Sequence, residues 1–251
     1  MKGIIMLKFF VKNEQVNEEI IEIIGQDAKH MQKVLRLEVG EILNITDESR
    51  NTYKCSIVEF KDEKVICNIL ENVEEDNENK INISLFQCLA KFDKMDYIIQ
   101  KATELGIYDV YPVSSKRVVV KLDEKGKVKK VERWQAISKE AAKQCKRTYI
   151  PEIKNVIFLK DICNLVPKYD IILVAYENDK SSLKKVLQEM KQNIQNIGIV
   201  IGPEGGFDES EIKLLNQYEN VYLVSLGNRI LRTETASISL ISNILYEFDE
   251  I

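Results

Sequence analysis

The chain has 251 residues, enough for one large domain or two smaller ones, and is long enough to bury a core without disulfides. Its 36 Lys and Arg against 40 Asp and Glu give a net charge of −4, which argues against a general nucleic-acid-binding protein. Five cysteines without a C-x-x-C pair, no apolar run near the ~20 residues of a membrane span, and a start too short for a signal peptide predict a reduced, cytoplasmic protein without metal or membrane partners.

The first 70 residues are predicted to form mostly short strands. Three segments are rich in β-branched residues and alternate roughly with period two: "EILNITD" (41–47), "TYKCSIVEF" (52–60) and "KVICNIL" (64–70). One helix is predicted over "DAKHMQKVLRL" (27–37). A small β-barrel or a β-sandwich is the expected result.

The segment "ENVEEDNENK" (71–80) has five acids and no run that could enter a core. It is either an exposed loop or a linker, and we take it as the linker. The predicted domains are therefore residues 1–72, a linker over 73–80, and residues 81–251.

From residue 81 onward, strands and helices alternate. Strands are predicted over 81–90, 107–113, 170–176, 197–201 and 220–226. Helices are predicted over 93–106, about 128–146, 181–193, 209–217 and 233–248. This alternation predicts an α/β fold with a mostly parallel sheet that is covered on both faces.

The segment "IGPEGGFDES" (201–210) follows a predicted strand, and ligands of open α/β sheets bind at such carboxyl ends. Its glycines allow positive φ and close approach of a ligand, while Pro203 stiffens the loop. Asp208 and Glu211 have the spacing of a capping box for the next helix.

No lysine follows Gly206, and G-x-G-x-x-G is absent, so the two common phosphate-binding loops are excluded. Glu204 would also repel a phosphate. A ligand without phosphate fits better, and a tight turn without any ligand is the alternative.

A second segment, "LGNRILRTETAS" (226–237), follows the next predicted strand and again combines a glycine turn with a helix start. Thr233 is predicted to cap that helix, with Glu234 in its first turn. Two such turns at adjacent strand ends would form opposite walls of one pocket.

Together these two segments resemble the ribosomal RNA uridine-N3 methyltransferases of the SPOUT superfamily, which act on small-subunit (16S) ribosomal RNA. The resemblance covers the whole chain, with weaker motifs in the expected order: "KFF" (8–10), "HMQKVLR" (30–36), "KATELG" (101–106), "SKRVVVK" (115–121) and "EAAKQCKR" (140–147). The chain differs from the common pattern at Lys8, Lys143 and Cys145, where family members often have arginine, glutamate and serine.

The resemblance implies a C-terminal trefoil-knotted methyltransferase domain and an N-terminal PUA-like β-barrel that binds RNA. It also implies a homodimer in which the partner completes each active site, with 16S ribosomal RNA or the small ribosomal subunit as substrate. The implied cofactor is S-adenosylmethionine, and the residues expected to bind it are Tyr176, Glu177, Ile201, Gly202, Pro203, Glu204, Gly205, Gly206, Leu226, Gly227, Ile230, Leu231 and Arg232.

Residues 116–148 contain twelve Lys and Arg against four Asp and Glu, a local charge of +8. This basic segment is either an RNA-facing strip or a solvated helix face with a lysine-rich loop. His30 is a structural residue or an RNA contact, and Arg117 and Arg147 have surface salt bridges as their alternative. The predicted RNA-binding residues are Lys8, His30, Arg36, Lys116, Arg117, Lys143 and Arg147.

N3 of uracil lies on the Watson–Crick edge, so the target base must be unpaired or flipped out. Its proton must leave as the methyl group arrives. Glu234 is the predicted base, with a helix-dipole contact as its alternative. Arg232 is predicted to stabilise the uracil anion, with an ion pair across the dimer as its alternative. A ribose 2′-O methyltransferase, an RNA binder without chemistry and, remotely, a phosphate-using enzyme are the competing functions.

Overall fold

The structure, a computed structural model, describes residues 6–74, 77–179, 181–190 and 194–251. Its backbone divides into two compact units: Met1–Glu78 with Ala142–Tyr149, and Asn79–Ala141 with Ile150–Ile251. The domain limits at 1–72, 73–80 and 81–251 stay a prediction. Residues 75–76 of the predicted linker and 191–193 of the predicted helix 181–193 lie outside the described residues.

The first unit contains a five-stranded sheet in the order β1-β3-β4-β5-β2. The β1–β3 pair is parallel, and the other pairs are antiparallel. Three of these strands were predicted, whereas β1 and β2 were not, and closure of the sheet into a barrel stays a prediction. The strands are β1 (Lys8–Phe10), β2 (Ile20–Ile24), β3 (Ile42–Thr46), β4 (Thr52–Lys61) and β5 (Lys64–Val73).

The helix predicted over 27–37 begins and ends two residues earlier and has two parts. Helix α1 (Gly25–His30) continues into a π-helical turn over Met31–Leu35. Arg36 ends this turn with a φ of 54°, a left-handed conformation that a regular helix cannot include.

The second unit contains a parallel sheet in the order β12-β10-β11-β6-β7-β8, with β9 also paired to β7. The predicted parallel α/β sheet is therefore confirmed. Two strands of two residues each, β8 and β9, are too short to give a periodic signal. The strands are β6 (Asn82–Cys88), β7 (Asp109–Ser114), β8 (Glu152–Ile153), β9 (Ile157–Phe158), β10 (Ile171–Ala175), β11 (Asn196–Ile201) and β12 (Val221–Val224).

Helices cover both faces of this sheet. Leu85 and Ile199 enter one core, while their neighbours Phe86 and Val200 enter the other. Strands buried on both faces need continuous apolar runs, and these strands have them. None of the described helices is both long and apolar enough to cross a membrane. The further helices are α2 (Lys94–Glu104), α3 (Glu124–Gln144), α4 (Leu183–Met190), α5 (Glu209–Leu215) and α6 (Thr233–Glu247).

Because the strands are parallel, the chain leaves β6, β10, β11 and β12 at one edge of the sheet. Both glycine-bearing segments begin at this edge. Strand β10 lies between β11 and β12, so the expectation that the two turns follow adjacent strands was wrong. The order of strands along the chain does not reveal the order in the sheet.

Candidate active site

A cavity of about 370 Å³, here called the cofactor cavity, lies at the carboxyl edge of the parallel sheet. Both glycine-bearing segments line it, together with the start of α2 and the end of β10. Five lining residues were not predicted: Lys94, Ala175, Phe207, Thr233 and Ala236. Nine of the thirteen predicted cofactor-binding residues line it: Glu177, Ile201, Gly202, Pro203, Glu204, Gly206, Ile230, Leu231 and Arg232.

The other four predicted residues lie outside the cofactor cavity. Leu226 and Gly227 line a different cavity of about 520 Å³. Tyr176 packs against the core that contains Phe86. A Cβ atom on Gly205 would approach the Cβ and carbonyl oxygen of Arg117 at 3.3 Å. The structure therefore does not place these four around the same cavity as the rest.

In the loop after β11, Gly206 has a φ of +67°, a backbone conformation that glycine adopts easily and other residues rarely do. A Cβ atom there would lie 3.0 Å from Oε1 of Glu177. The loop ends in the predicted capping box, which is confirmed: the Asp208 carboxylate accepts from the Ser210 N–H at 3.1 Å, and Glu211 accepts from the Asp208 N–H at 2.9 Å. The Ser210 side chain and N–H, with Lys116, lower the pKa of Asp208 to about 2.

A buried hydrogen-bond network connects the two segments. The Thr233 hydroxyl donates to the carbonyl of Gly202 at 2.7 Å, so it does not cap α6 as predicted. The Gln87 amide, from the end of β6, donates to the Thr233 hydroxyl at 2.9 Å. The Ser237 hydroxyl lies 2.6 Å from Oε1 of Gln87. Buried polar groups keep such partners, so this network fixes the first turn of α6 against the glycine loop.

Lys94, which lines the cofactor cavity, contacts two carboxylates. The Lys94 ammonium lies 3.2 Å from Oε1 of Glu204 and 3.4 Å from Oε2 of Glu234. Partial burial by itself would raise the pKa of Glu204. The combined effect of hydrogen bonds from the Lys91 N–H and the loop backbone and of the Lys94 ammonium is larger, so this pKa is lowered. Arg232 is exposed and forms no ion pair within the described ranges.

The residues of the cofactor cavity fit S-adenosylmethionine. Its volume is within the ~300–1,000 Å³ of small-molecule sites. Ile201, Leu231 and Ala236 offer apolar surface for a flat ring, while Glu177 and Glu204 offer carboxylates for cationic groups. Among the residues with known positions, no cluster of three or more His, Cys, Asp and Glu side chains is arranged to hold a metal ion.

Three predicted RNA-binding residues have partners inside the first unit. The Lys8 ammonium donates to the carbonyl of Lys146 at 3.2 Å, and Lys143 pairs with Asp27 at 2.6 Å. Arg147 is 4% exposed and pairs with Glu78 at 2.5 Å. Their contact with RNA stays a prediction, because each would have to give up an internal partner.

The other four predicted RNA-binding residues are exposed. His30 and Arg36 lie on the first unit. In the second unit, Lys116 and Arg117 reach Asp208 at 3.3 and 3.7 Å, so they lie beside the glycine loop. The Arg117 guanidinium also donates to the carbonyl of Gly205 at 3.4 Å.

Sequence reasoning missed Lys94 and Gln87, although both lie near the end of a predicted strand. Parallel strands share one carboxyl edge, so residues that follow β6 belong to the same edge as the glycine segments. What the sequence lacks is the neighbour relation between β6 and β11, which brings Lys94 to Glu204.

Comparison with known proteins gives one consistent result. A model of the RNA methyltransferase domain family matches residues 77–245, and a model of the RNA methyltransferase PUA domain matches residues 23–70. The chain is 33% identical to the Ribosomal RNA small subunit methyltransferase E of Bacillus subtilis, over 96% of this chain and 97% of that protein. It is 31% identical to the protein of the same name from Aquifex aeolicus, over 86% and 90% of the two chains.

Among solved structures, the chain is similar to a Ribosomal RNA small subunit methyltransferase E from Neisseria gonorrhoeae that is bound to S-adenosyl methionine. The TM-score is 0.85 at 28% identity, and the match covers 96% of this chain and 97% of that one. Both units of the chain therefore have counterparts in a protein solved with a cofactor.

Proposed function

Because the chain belongs to the ribosomal RNA small subunit methyltransferase E family, we propose that it transfers a methyl group from S-adenosylmethionine to N3 of a uridine in small-subunit ribosomal RNA. One observation carries the proposal: both glycine-bearing segments line a single cavity, and that cavity has two carboxylates and no phosphate-binding lysine loop. These features suit a ligand that is cationic and carries a flat ring.

The cofactor is held mainly by backbone in this proposal. The loop over 202–206 and the segment over 230–233 supply carbonyl and N–H groups, and the Thr233–Gly202 hydrogen bond keeps them in register. Bound S-adenosylmethionine supplies an electrophilic methyl group on a positively charged sulfur. Glu177 and Glu204 provide negative charge in the same cavity.

Two side chains carry the chemistry on the RNA side. Glu234 accepts the N3 proton, and Arg232 stabilises the negative charge that develops on the uracil ring. Glu234 lies in the first turn of α6 and Arg232 precedes that helix, so the buried network around Thr233 fixes the backbone that carries both residues.

The remaining parts of the proposal come from family membership. The second unit is a trefoil knot, as the match to the RNA methyltransferase domain family leads us to expect. The first unit is a PUA-like barrel that binds RNA, and two chains form a homodimer. The substrate is 16S ribosomal RNA or the small subunit, so the enzyme acts in the cytoplasm. The seven predicted RNA-binding residues belong to this proposal.

The test uses small subunits from a bacterial strain that lacks this gene. Purified protein and S-adenosylmethionine with an isotope-labelled methyl group are added, and the RNA is digested to nucleosides for mass spectrometry. Label in 3-methyluridine is expected. Label in a ribose-methylated nucleoside would identify a different methyltransferase, and RNA binding without any label would identify a binder without chemistry.

Glu234→Gln tests the assigned base. Loss of a general base lowers a rate by ~100- to 10,000-fold, so single-turnover methyl transfer should fall by about 100-fold or more. Glu247→Gln, at the last residue of the same helix, is the matched control and should leave the rate unchanged. Equal rates in the two variants would assign the proton to another acceptor.

A further inference from the structure

We propose that a second cavity, next to the cofactor cavity, receives the target uracil base; this inference rests on the proposed function. The base cavity, as we name it, has a volume of about 620 Å³ and lies entirely in the second unit. The residues that line it include Phe92, Lys94, Tyr97, Glu234 and Thr235.

The two cavities are neighbours. Lys94 lines both of them. At the start of α6, Arg232 and Thr233 line the cofactor cavity. The next two residues, Glu234 and Thr235, line the base cavity. A base in this second space is therefore separated from the cofactor cavity only by Lys94 and one helical turn.

The polar groups of the base cavity match the edge of uracil. Uracil has two carbonyl acceptors beside one N3–H donor. Lys94 and the hydroxyl of Thr235 can donate to carbonyls, and Glu234 can accept from N3–H. Cytosine has no proton at N3 and would place a lone pair against the carboxylate, so this arrangement also selects uracil over cytosine.

Glu234 has acceptor capacity left for such a donor. Its Oε2 atom is buried and has no hydrogen-bond partner among the residues that the structure describes. The closest charged contact of Oε2 is the Lys94 ammonium at 3.4 Å, while the Glu234 side chain keeps 18% of its surface exposed. The exposed part of this side chain is where one more N–H group can approach the carboxylate, which has few donors around it.

Two aromatic rings lie at the same cavity without a place in either core. Phe92 is 87% exposed and Tyr97 is 47% exposed. Phe92 also has a φ of +55°, a left-handed conformation that costs a side chain about 1–2 kcal/mol. Flipped bases stack on such rings, and strained residues concentrate at functional sites. A stacking role explains why an apolar ring stays in water on a strained backbone.

The proton and charges balance in this arrangement. The N3–H bond breaks as the N3–carbon bond forms, and the proton passes to the Glu234 carboxylate, which becomes a neutral acid. The sulfur that gives up the methyl group loses its positive charge in the same event, so one charge of each sign disappears. Lys94 keeps Glu204 as its partner throughout. Glu234 then releases the proton to water.

The first test is photocrosslinking, which needs no catalysis. Small-subunit ribosomal RNA transcribed with 4-thiouridine is irradiated with the full chain, and crosslinked peptides are mapped by mass spectrometry. Crosslinks at Phe92 or Tyr97 that unmodified RNA competes away are expected. Specific crosslinks only elsewhere, for example at α3 or at Tyr246, would overturn the proposal. If the protein methylates no uridine N3 at all, the proposed function fails, while the crosslinks still report whether bases enter this cavity.

The second test uses Phe92→Gly and Tyr97→Ala. Stacking on one aromatic side chain is worth a ~5- to 100-fold effect, so kcat/KM for RNA should fall by this factor in each variant, with unchanged affinity for S-adenosylmethionine. Glycine tolerates the φ of Phe92, so that variant folds without added strain. Tyr246→Ala, on an exposed aromatic residue of α6, is the matched control and should keep wild-type kcat/KM.

Light scattering of the same variants tests the main competing occupant, a second copy of the chain. Molecular mass should be equal in wild type, Phe92→Gly and Tyr97→Ala. A fall in mass together with the loss of methyl transfer would identify the rings as a subunit contact and overturn the proposal. Wild-type kcat/KM in both ring variants would overturn it as well.

Discussion

The cofactor cavity and the basic segment over 116–148 depend on different parts of the polypeptide. The cavity is shaped by backbone, with Gly206 at positive φ and the Gly202 carbonyl held by Thr233. The basic segment acts through side chains, and these divide into two groups. Lys125 and Lys129 are exposed without ion pairs in the described part of the chain, whereas Arg147 is buried against Glu78.

This difference predicts how each region responds to mutation. A site made of backbone is destroyed by an added side chain and is insensitive to most changes of charge. RNA binding by a basic surface is sensitive to mutations that remove positive charge, but only where the cations are not already paired with carboxylates of the same protein. The following predictions test these two rules, beginning with the largest effect.

Arg147→Ala should destabilise the protein by about 3–5 kcal/mol, because it leaves a partner of a buried ion pair without its counter-charge. Among the described residues, Glu78 would keep as donors the N–H groups of Thr148 and Tyr149 and the Thr148 hydroxyl. Denaturant unfolding measures the change, and Lys129→Ala, on the exposed part of the same segment, should stay within about 0.5 kcal/mol of wild type.

The outcome decides what Arg147 does. A stable Arg147→Ala variant with weakened RNA binding would show that Arg147 acts as the predicted RNA contact. An internal ion pair would then fail to predict which cations are unavailable to RNA, even for Arg147, whose ion pair is buried.

Gly206→Val should lower the affinity for S-adenosylmethionine by at least about tenfold, which corresponds to ~1.4 kcal/mol. A β-branched residue is strained at φ +67°, and its Cβ would approach Glu177 inside the cavity. Gly25→Val is the matched control, since Gly25 has φ +69° and nothing within 4 Å of an added Cβ.

Calorimetry of the two valine variants separates strain from site damage. Both should lose stability, and only Gly206→Val should lose cofactor affinity. Equal affinity in both would show that the loop over 202–206 does not touch the cofactor. Gly205 is a poorer position for this test, because its added Cβ would meet Arg117 outside the cavity.

The glycine segments show what the sequence can predict. Glycines after a strand and before a helix mark a ligand-binding edge, and the Asp208–Glu211 capping box depends on residues three apart, so local rules suffice. The thirteen cofactor-binding residues were instead implied by the family resemblance, and nine of them line one cavity. The fold class follows from the same alternation of strands and helices.

Long-range pairing is what the sequence does not reveal. Lys94 meets Glu204 across 110 positions of the chain, and Arg147 meets Glu78 across 69. The Thr233 side chain is of a type that can cap α6, but its hydroxyl donates instead to the carbonyl of Gly202, 31 residues earlier in the chain. Charge counting gave +8 for residues 116–148 without showing which cations already have partners.

Changing Lys129 and Lys130 together to Glu should weaken RNA binding without affecting cofactor affinity. The salt dependence is the slope of log affinity against log salt concentration. Each lost phosphate contact should make this slope shallower by ~0.7–0.9. The matched control changes Lys184 and Lys185, adjacent exposed residues on α4, to Glu. Equal losses of RNA affinity in the two pairs would mean that net charge, and not the basic segment, sets the affinity.

The smallest effect concerns Cys88, the last residue of β6 and the neighbour of Gln87 in the buried network. Burial raises the pKa of the Cys88 thiol from 9.0 to about 12, against a smaller lowering effect of Ser115 and with a still smaller rise from Glu211. The unfolded chain releases this proton above pH 9 and the folded protein does not. Stability from this thiol is therefore present below pH 9 and is lost as the pH rises toward 12.

Between pH 8 and pH 10 this loss should be roughly 1 kcal/mol, measured as the free energy of unfolding in denaturant at each pH. Cys88→Ala should make that pH dependence shallower by the same amount, whatever the variant costs in absolute stability. Identical slopes in wild type and variant would mean that water reaches the end of β6. The hydrogen bond from Gln87 to Thr233 would then be solvated, and the backbone of the cofactor cavity would be less rigid than its buried network implies.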